Sequence, residues 1–146
     1  MGTNNPNLPN NVLSDEEAIQ YLATMVAALK NQTYTQMSGA GPLTMTAATM
    51  VGGVIQVQGG TTVTMNTDTA AAIIARMAAL DANAGVGSTA QFALMNDNSG
   101  AMTVAGGTGV TIVGAGTTGT SLAAGTYRRY QIKQLTANTV SLTVVA

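Results

Sequence analysis

Apolar and polar residues alternate with a period of two along several short stretches of this chain. Val63 and Met65 lie between polar neighbours. Near the C-terminus, Val140, Leu142 and Val144 repeat the same alternation. This period is typical of strands with one buried face. Eight segments are therefore predicted to be strands: residues 43–47, 50–58, 61–66, 90–95, 101–105, 110–113, 126–135 and 139–145.

Turn-forming residues separate these segments. Gly59 and Gly60 predict a hairpin turn between two of the strands. The run Asn-Asp-Asn-Ser-Gly at 96–100 predicts a second hairpin, in which residues 101–105 pair back onto the preceding strand. The same run is a weak match to a calcium loop, but it lacks the closing Glu that such a loop requires. A hairpin is the favoured interpretation.

One stretch, from residue 68 to about 83, breaks the strand pattern and predicts a helix, because most of residues 70–80 are strong helix formers. Asn66, Thr67 or Asp68 can cap its start. One face carries the apolar side chains of Ile73, Ile74, Met77 and Leu80. Short strands spaced by about 8–12 residues around one helix indicate a β-sandwich. We predict a mainly β fold, a single β-sandwich or jelly-roll-like domain over residues 43–146 with one packed helix.

A second helix is predicted at residues 14–31. Ser14 can cap its start, and Glu17, three positions later, completes a capping box. Lys30 lies in the last turn, where the helix dipole favours a cation. Four apolar positions have the 3-4-3 spacing of a short coiled-coil seam: Ile19, Leu22, Val26 and Leu29.

That spacing has two interpretations. The four residues form a self-association seam between copies of the chain, or the helix packs on its own domain through a broader apolar stripe. Burying each side chain is worth about 1.5–3 kcal/mol, so the seam holds a trimer only if the main domain adds contacts. Two heptads do not decide between these alternatives, and both stay open.

The remaining N-terminal residues predict no packed structure. Residues 1–13 are predicted to be a flexible arm, since five Asn and two Pro between Asn4 and Asn11 disfavour helix and offer nothing to bury. Residues 32–42 are predicted to be an uncharged linker ending at Gly41 and Pro42. The N-terminal residues do not resemble an export signal, and no apolar stretch is long enough to span a bilayer.

The absence of His and Cys from the 146 residues narrows the possible functions. The usual zinc, haem and iron–sulfur sites need imidazole or thiolate ligands, and the common catalytic triads need His or Cys. The six acidic residues form no obvious catalytic pair, with Asp68 and Asp97 as the one alternative. We therefore expect a protein that is not an enzyme and that has no catalytic residues, cofactor or metal.

Residues 114–119 match the dinucleotide-binding pattern G-x-G-x-x-G after a predicted strand. A working site needs a following helix and an acidic residue about 20 positions later. Residues 120–124 are too few for that helix, and no acidic residue follows Asp97. The sequence therefore predicts a glycine-rich loop without a nucleotide. A net charge of −1 with five cations also argues against nucleic-acid binding.

Three of the five cations lie within one predicted strand: Arg128, Arg129 and Lys133. In an extended strand, Arg129 and Lys133 share a face and Arg128 points to the other. Such charges protect a sheet edge from aggregation, or they contact an acidic partner surface, where Arg forms bidentate bonds with carboxylates. Tyr127 and Tyr130 flank the cluster and suit an interface.

Charge is scarce in the chain as a whole. Charged residues make up 8% of it, against about 25% in an average soluble domain. A freely diffusing monomer normally carries interspersed charge for solubility. The sequence therefore favours assembly with neighbouring subunits.

With these features, the segment from about residue 43 to residue 146 resembles small virion proteins of tailed bacteriophages. The resemblance is to capsid decoration (cement) proteins and to related head-fibre or tail modules. It lies in the Thr-rich strand 61–65, the helix start 69–74, and the segments 86–94, 102–112 and 140–145. It includes no active-site motif, and the predicted helix at 14–31 is not part of it.

The resemblance implies a homotrimer that binds the outside of a phage capsid and stabilises contacts between major capsid proteins. The protein would be assembled in the host cytoplasm and located on the virion, without binding nucleic acid or membrane. We assign self-association to Ile19, Leu22, Val26 and Leu29. We assign capsid contact to Arg128, Arg129 and Lys133. The alternative is a head-fibre or tail-tip module that recognises host surface glycans through an exposed aromatic residue.

Overall fold

The computed structural model describes Glu16 and residues 18–20, 32–114 and 120–145. The chain divides into two compact units, Met1–Gln32 and Thr33–Ala146. In the first unit, Glu16 and residues 18–20 are helical and lie within the helix predicted at 14–31, whereas the predicted arm at 1–13 lies outside the described residues. The second unit is a mainly β domain with one packed helix, which confirms the predicted fold class.

Two sheets form the β domain. The larger has six strands, in spatial order β1 (Tyr34–Ser38), β3 (Val54–Gln58), β5 (Thr89–Asp97), β9 (Thr126–Gln134), β10 (Val140–Val145) and β7 (Val110–Val113). The smaller has four strands, in spatial order β2 (Leu43–Thr44), β4 (Val63–Asn66), β6 (Met102–Ala105) and β8 (Ser121–Leu122).

The chain alternates between the two sheets over its first nine strands. β1, β3 and β5 are parallel neighbours in the larger sheet, as β2, β4 and β6 are in the smaller. β9 then pairs antiparallel with β5, β10 pairs antiparallel with β9, and β7 pairs parallel with β10. Jelly rolls are antiparallel, so the parallel pairs are a feature that the sequence analysis did not predict.

Both predicted hairpins are instead corners between the sheets. The turn at Gly59 and Gly60 joins β3 to β4, and the turn after Asp97 joins β5 to β6, so the flanking strands lie in different sheets. The hairpin predictions were wrong. Glycine permits a sharp bend but does not determine whether the next strand returns beside the first or crosses to another sheet.

The start of the β domain also differs from the prediction. Within the predicted linker 32–42, Tyr34–Ser38 forms edge strand β1, so the domain begins at Thr33 and not at residue 43. The burial of this strand alternates, with Thr35 and Met37 half-buried. A single large apolar residue was too weak a signal to indicate a strand.

Two helices lie in the connections between strands. α1 (Ala47–Met50) is a single turn between β2 and β3, and α2 (Ala70–Leu80) lies between β4 and β5. α2 is the predicted packed helix. Its N-cap is Thr69, whose hydroxyl accepts a hydrogen bond from the Ala72 N–H, and not one of the three predicted caps. The predicted apolar face packs on the core: Ile73, Ile74, Met77 and Leu80.

One apolar core joins the inward side chains of both sheets. Phe92 of β5 and Tyr130 of β9 are cross-strand partners, and their rings stack with centroids 5.2 Å apart. Methionine fills much of the remaining space, as its flexible side chain allows. The other large side chains with full burial are Met45, Met50, Ile55, Met65, Ile73, Leu94, Met102, Leu122, Ile132 and Leu142.

Candidate binding face of the larger sheet

Strand β9 carries the three predicted contact residues, and burial alternates along it. Tyr130 and Ile132 are fully buried in the core, whereas Arg129 and Lys133 are exposed on the outer face of the larger sheet. Arg128 is half-buried on the inner side. The strand period therefore separates the cluster as the sequence predicted, with Arg129 and Lys133 on one face and Arg128 on the other.

Arg128 is engaged by the fold. Its Nη1 donates a hydrogen bond to the carbonyl oxygen of Ser121 at 2.6 Å, which connects β9 to β8. Burial raises the pKa of Tyr130, and a hydrogen bond and the positive charge of Arg128 oppose part of that rise. A partner would have to compete with these contacts. The geometry therefore gives Arg128 a structural role.

Arg129 and Lys133 have no acidic residue directly opposite them on the neighbouring strands. Arg129 lies between Ala93 and Val145, and Lys133 lies between Thr89 and Ser141. An opposite charge at such a position would partly neutralise the cation. Within residues 32–114 and 120–145, no ion pair or side-chain hydrogen bond holds either cation. Both are therefore accessible to a partner.

The topology brings two exposed tyrosines onto the same outer face. Tyr127 of β9 is 71% exposed, and Tyr34 of β1 is 64% exposed. The register places Tyr34 in one row across the sheet with Val54, Ala93 and Arg129. Three strand spacings separate Tyr34 from Arg129, or about 14 Å. The sequence predicted a linker at this position, so the place of Tyr34 on the sheet was not predicted.

Glutamines occupy much of the outer face between these side chains. Gln56 of β3 accepts hydrogen bonds from the Tyr34 hydroxyl and from Gln36 Nε2, and its own Nε2 donates to the Asp97 carboxylate. Asp97 lies at the last position of β5. The face is therefore polar and internally hydrogen-bonded, and the charges near its centre are those of Arg129 and Lys133.

An open depression of about 260 Å³ lies where β9 begins and β10 ends. Its lining residues are Tyr127, Arg128, Arg129, Val144 and Val145. The lining combines an aromatic ring, guanidinium groups and aliphatic side chains, a composition typical of protein interfaces. It can accept a carboxylate beside an apolar group, whereas these five residues offer no nucleophile with an adjacent base.

The turn considered as a calcium loop is a hydrogen-bonded corner in which Asn96 and Asn98 are buried. Asn96 is fully buried, and its Nδ2 donates to the carbonyl oxygens of Gly100 and Leu122 at 3.0 and 2.8 Å. Its Oδ1 accepts from the backbone N–H and the Nδ2 of Asn98. Asn98 Oδ1 in turn accepts from the Gly60 N–H at 2.8 Å. This network holds the β5–β6 corner against the β3–β4 corner.

Asp68 has a similar role at the other end of the sandwich. Its Oδ2 accepts from the N–H of Ala47, which begins α1, and its Oδ1 accepts from the Thr69 N–H, both at 2.8 Å. β4 and β6 are parallel neighbours, and Asp68 follows the C-terminal end of β4. Asp97 precedes the N-terminal end of β6, so the two residues lie at opposite ends of this strand pair. The two carboxylates therefore do not form a catalytic pair. Among the described residues, no group of three or more His, Cys, Asp or Glu could hold a metal ion.

The predicted self-association seam is only partly described. Ile19 is 66% exposed on its helical segment. Leu22, Val26 and Leu29 lie outside the described residues, as does most of the glycine-rich segment 114–119. Self-association through this seam stays a prediction.

Comparison of the chain with protein-family models, curated proteins and solved structures found no match. In the part of the chain that the structure describes, no helix has the length and apolar character needed to cross a membrane.

Proposed function

We propose that the protein is a structural attachment protein that binds a carboxylate-bearing protein surface through the outer face of its larger sheet. The observation that carries this proposal is the position of Arg129 and Lys133, which are exposed on one face without acidic neighbours opposite them. By contrast, Asn96, Asp68 and Arg128 have hydrogen-bond partners within the fold. Polar side chains that folding does not engage are available to a partner.

The partner and the oligomeric state that we propose come from the resemblance to tailed-phage virion proteins. The chain decorates the outside of a phage capsid as a homotrimer and stabilises contacts between major capsid proteins. A broad, weakly charged face with tyrosine and arginine suits burial against protein. Exposed ion pairs contribute only about 0–1 kcal/mol each. Several linked copies on a repeating lattice would supply the affinity that single pairs do not.

Two double variants of matched net charge test the binding face. Arg129→Gln/Lys133→Gln removes two positive charges from the larger sheet. Thr44→Glu/Thr103→Glu adds two negative charges at exposed positions of the smaller sheet. Each protein is mixed with capsids of the phage that encodes it, after the resident copies have been stripped. Bound protein is measured by sedimentation at increasing salt.

The wild type and the control are expected to bind the capsids. The glutamine variant is expected to bind at least about tenfold more weakly, and with less dependence on salt, because two attractive charges are gone. Equal occupancy by the two variants would reject the outer face as the binding surface. Stripped capsids that bind no wild-type protein would reject the decoration role itself.

A second candidate function rests on the exposure of Tyr34 and Tyr127. Two rings exposed on one face are the feature with which a head-fibre or tail-tip module would stack on the sugars of a host surface glycan. A glycan array compares the wild type with Tyr127→Ala. Binding that the variant loses supports this candidate, and a wild type that binds no glycan rejects it.

A further inference from the structure

The larger sheet ends in two strands that lack the usual protection of sheet edges. β1 and β7 are its terminal strands, and each pairs on one side only among the described strands. Natural edge strands commonly carry charges, prolines or bulges that discourage pairing with another chain. The sequences of β1 (YTQMS) and β7 (VTIV) contain no charged residue and no proline. Both edges are therefore competent to pair with a further strand.

The hydrogen bonds of β1 show which backbone groups point away from the sheet. The Thr33 carbonyl accepts from the Val54 N–H, and the Gly39 N–H donates to the Gln58 carbonyl. In a parallel pair, alternate residues bond the neighbouring strand, so the odd-numbered residues of β1 face β3. The N–H and C=O groups that face the open edge belong to Tyr34, Gln36 and Ser38.

The same argument applies to β7. The Val140 N–H donates to the Gly109 carbonyl, so Gly109 and Thr111 face β10. Ile112 therefore presents its N–H and C=O to the open edge. The N–H of Val110 is bonded to Gly107 within the preceding turn, and the Val110 carbonyl oxygen lies close to Gly106 of the same turn. The turn therefore occupies the edge at Val110.

Apolar side chains at both edges are only partly covered. Met37 of β1 and Leu43 of β2 pack on the core at one side of the domain, and Val110 and Ile112 of β7 do so at the other. All four are half-buried. A strand added to either edge would continue the sheet and cover part of this surface, a favourable change because apolar area leaves water.

We propose that the β1 edge of one copy pairs with the β7 edge of a second copy, so that copies associate head to tail by extension of the larger sheet. The strand directions suit this arrangement, because two antiparallel pairs, β5–β9 and β9–β10, separate β1 from β7 and leave them running the same way. Head-to-tail pairing can close into a ring without open edges, whereas β1–β1 pairing leaves every β7 edge open.

This inference rests on the self-association that the proposed function includes. It does not involve Arg129 or Lys133, so the two proposals can fail separately. Binding to capsids by a monomeric variant that still carries both cations tests the attachment proposal. The solution mass of the protein tests the pairing of the sheet edges.

Proline substitutions at outward-facing N–H groups test the edges. Gln36→Pro removes one such donor and leaves the bonds to β3 intact, because proline suits an edge strand when its nitrogen faces away from the neighbour. Gln36→Ala is the matched control, which removes the side chain but keeps the N–H. Ile112→Pro and Ile112→Ala are the corresponding pair on β7. Light scattering gives the mass of each full-length chain, and circular dichroism with thermal unfolding checks the fold.

We expect the wild type and both alanine variants to be oligomers and each proline variant to be a monomer. An equimolar mixture of the two proline variants should form a heterodimer, since each supplies the edge that the other lacks. A monomeric wild type, or a folded Gln36→Pro chain with the wild-type mass, would overturn the proposal. A dimer formed by Ile112→Pro alone would indicate β1–β1 pairing and would also overturn it.

Two further variants complete the test. Ser38→Pro replaces Gln36→Pro if the latter does not fold, because the Ser38 N–H also faces the open edge. Leu22→Asp addresses the predicted seam of the N-terminal helix. Dissociation by Leu22→Asp, together with an unchanged mass of the folded β1 proline variant, would assign self-association to the helix and overturn the edge pairing.

Discussion

The corners of the sandwich and the outer face of its larger sheet both carry polar residues, but the fold uses them differently. At the corners, Asn96 and Asp68 bond backbone groups of neighbouring turns. On the outer face, Arg129 and Lys133 have no such partners in the part of the chain that the structure describes. Polar groups bonded inside the fold stabilise it, whereas exposed cations contribute little to stability. The position of a polar residue, more than its type, separates a structural role from a binding role.

The contrast is sharpest for the adjacent residues Arg128 and Arg129. They have the same side chain, but a strand turns neighbouring side chains to opposite faces. Arg128 bonds the Ser121 carbonyl on the inner side, and Arg129 extends into solvent between Ala93 and Val145. One arginine is thus part of the fold, and the other is part of the proposed interface.

The largest effect on stability is expected at the β5–β6 corner. Asn96→Ala removes four hydrogen bonds and leaves the carbonyl of buried Leu122 and that of half-buried Gly100 without this donor. Each buried polar group left unsatisfied costs about 1–3 kcal/mol. We expect the free energy of unfolding, measured by chemical denaturation, to fall by about 3 kcal/mol. The control is Asn83→Ala at an exposed position, and an equal loss in both variants would contradict the assigned role of the corner.

An intermediate effect is expected for Arg128→Ala, which should lower the free energy of unfolding by about 1.5 kcal/mol because it removes a hydrogen bond from a charged donor. Arg129→Ala should change it by no more than about 0.5 kcal/mol. Capsid binding should show the opposite order, with the larger loss for Arg129→Ala. If both variants lost stability equally, the division of the two arginines between fold and interface would be wrong.

The smallest effect is expected in the pH dependence of stability. Burial raises the pKa of Tyr130 above its ordinary value of 10.0. The folded chain then holds this proton more tightly than the unfolded chain. The resulting stability is complete below about pH 10 and is lost as pH rises through the folded pKa. The melting temperature of the wild type should therefore fall more steeply at alkaline pH than that of Tyr130→Phe. Parallel curves would show that the tyrosine makes no such contribution.

Local patterns in the sequence predicted the features that depend on nearby residues. The period of two correctly indicated that Val63 and Met65 are buried, and the run of helix formers indicated the helix at Ala70–Leu80. The same period separated Arg128 from Arg129 and Lys133. These features follow from backbone geometry and side-chain direction over a few residues.

Strand partners could not be predicted in the same way. Alternation specifies which side chains of a strand face the core, but not which strand lies beside it. The turn after Asp97 was therefore interpreted as a hairpin, although β5 pairs with β3 and β9. Tyr34–Ser38 gave a weaker signal still, because an edge strand buries little apolar surface and its sequence resembles a linker.

The location of the three cations, their division between two faces and the scarcity of other charge follow from composition and strand geometry alone. What each cation meets depends on the strand order of the folded domain. The fold places Arg128 against the Ser121 carbonyl and brings Tyr34 into the same row as Arg129. These contacts join residues far apart in the chain, and their register arises from the burial of a common core rather than from local preference.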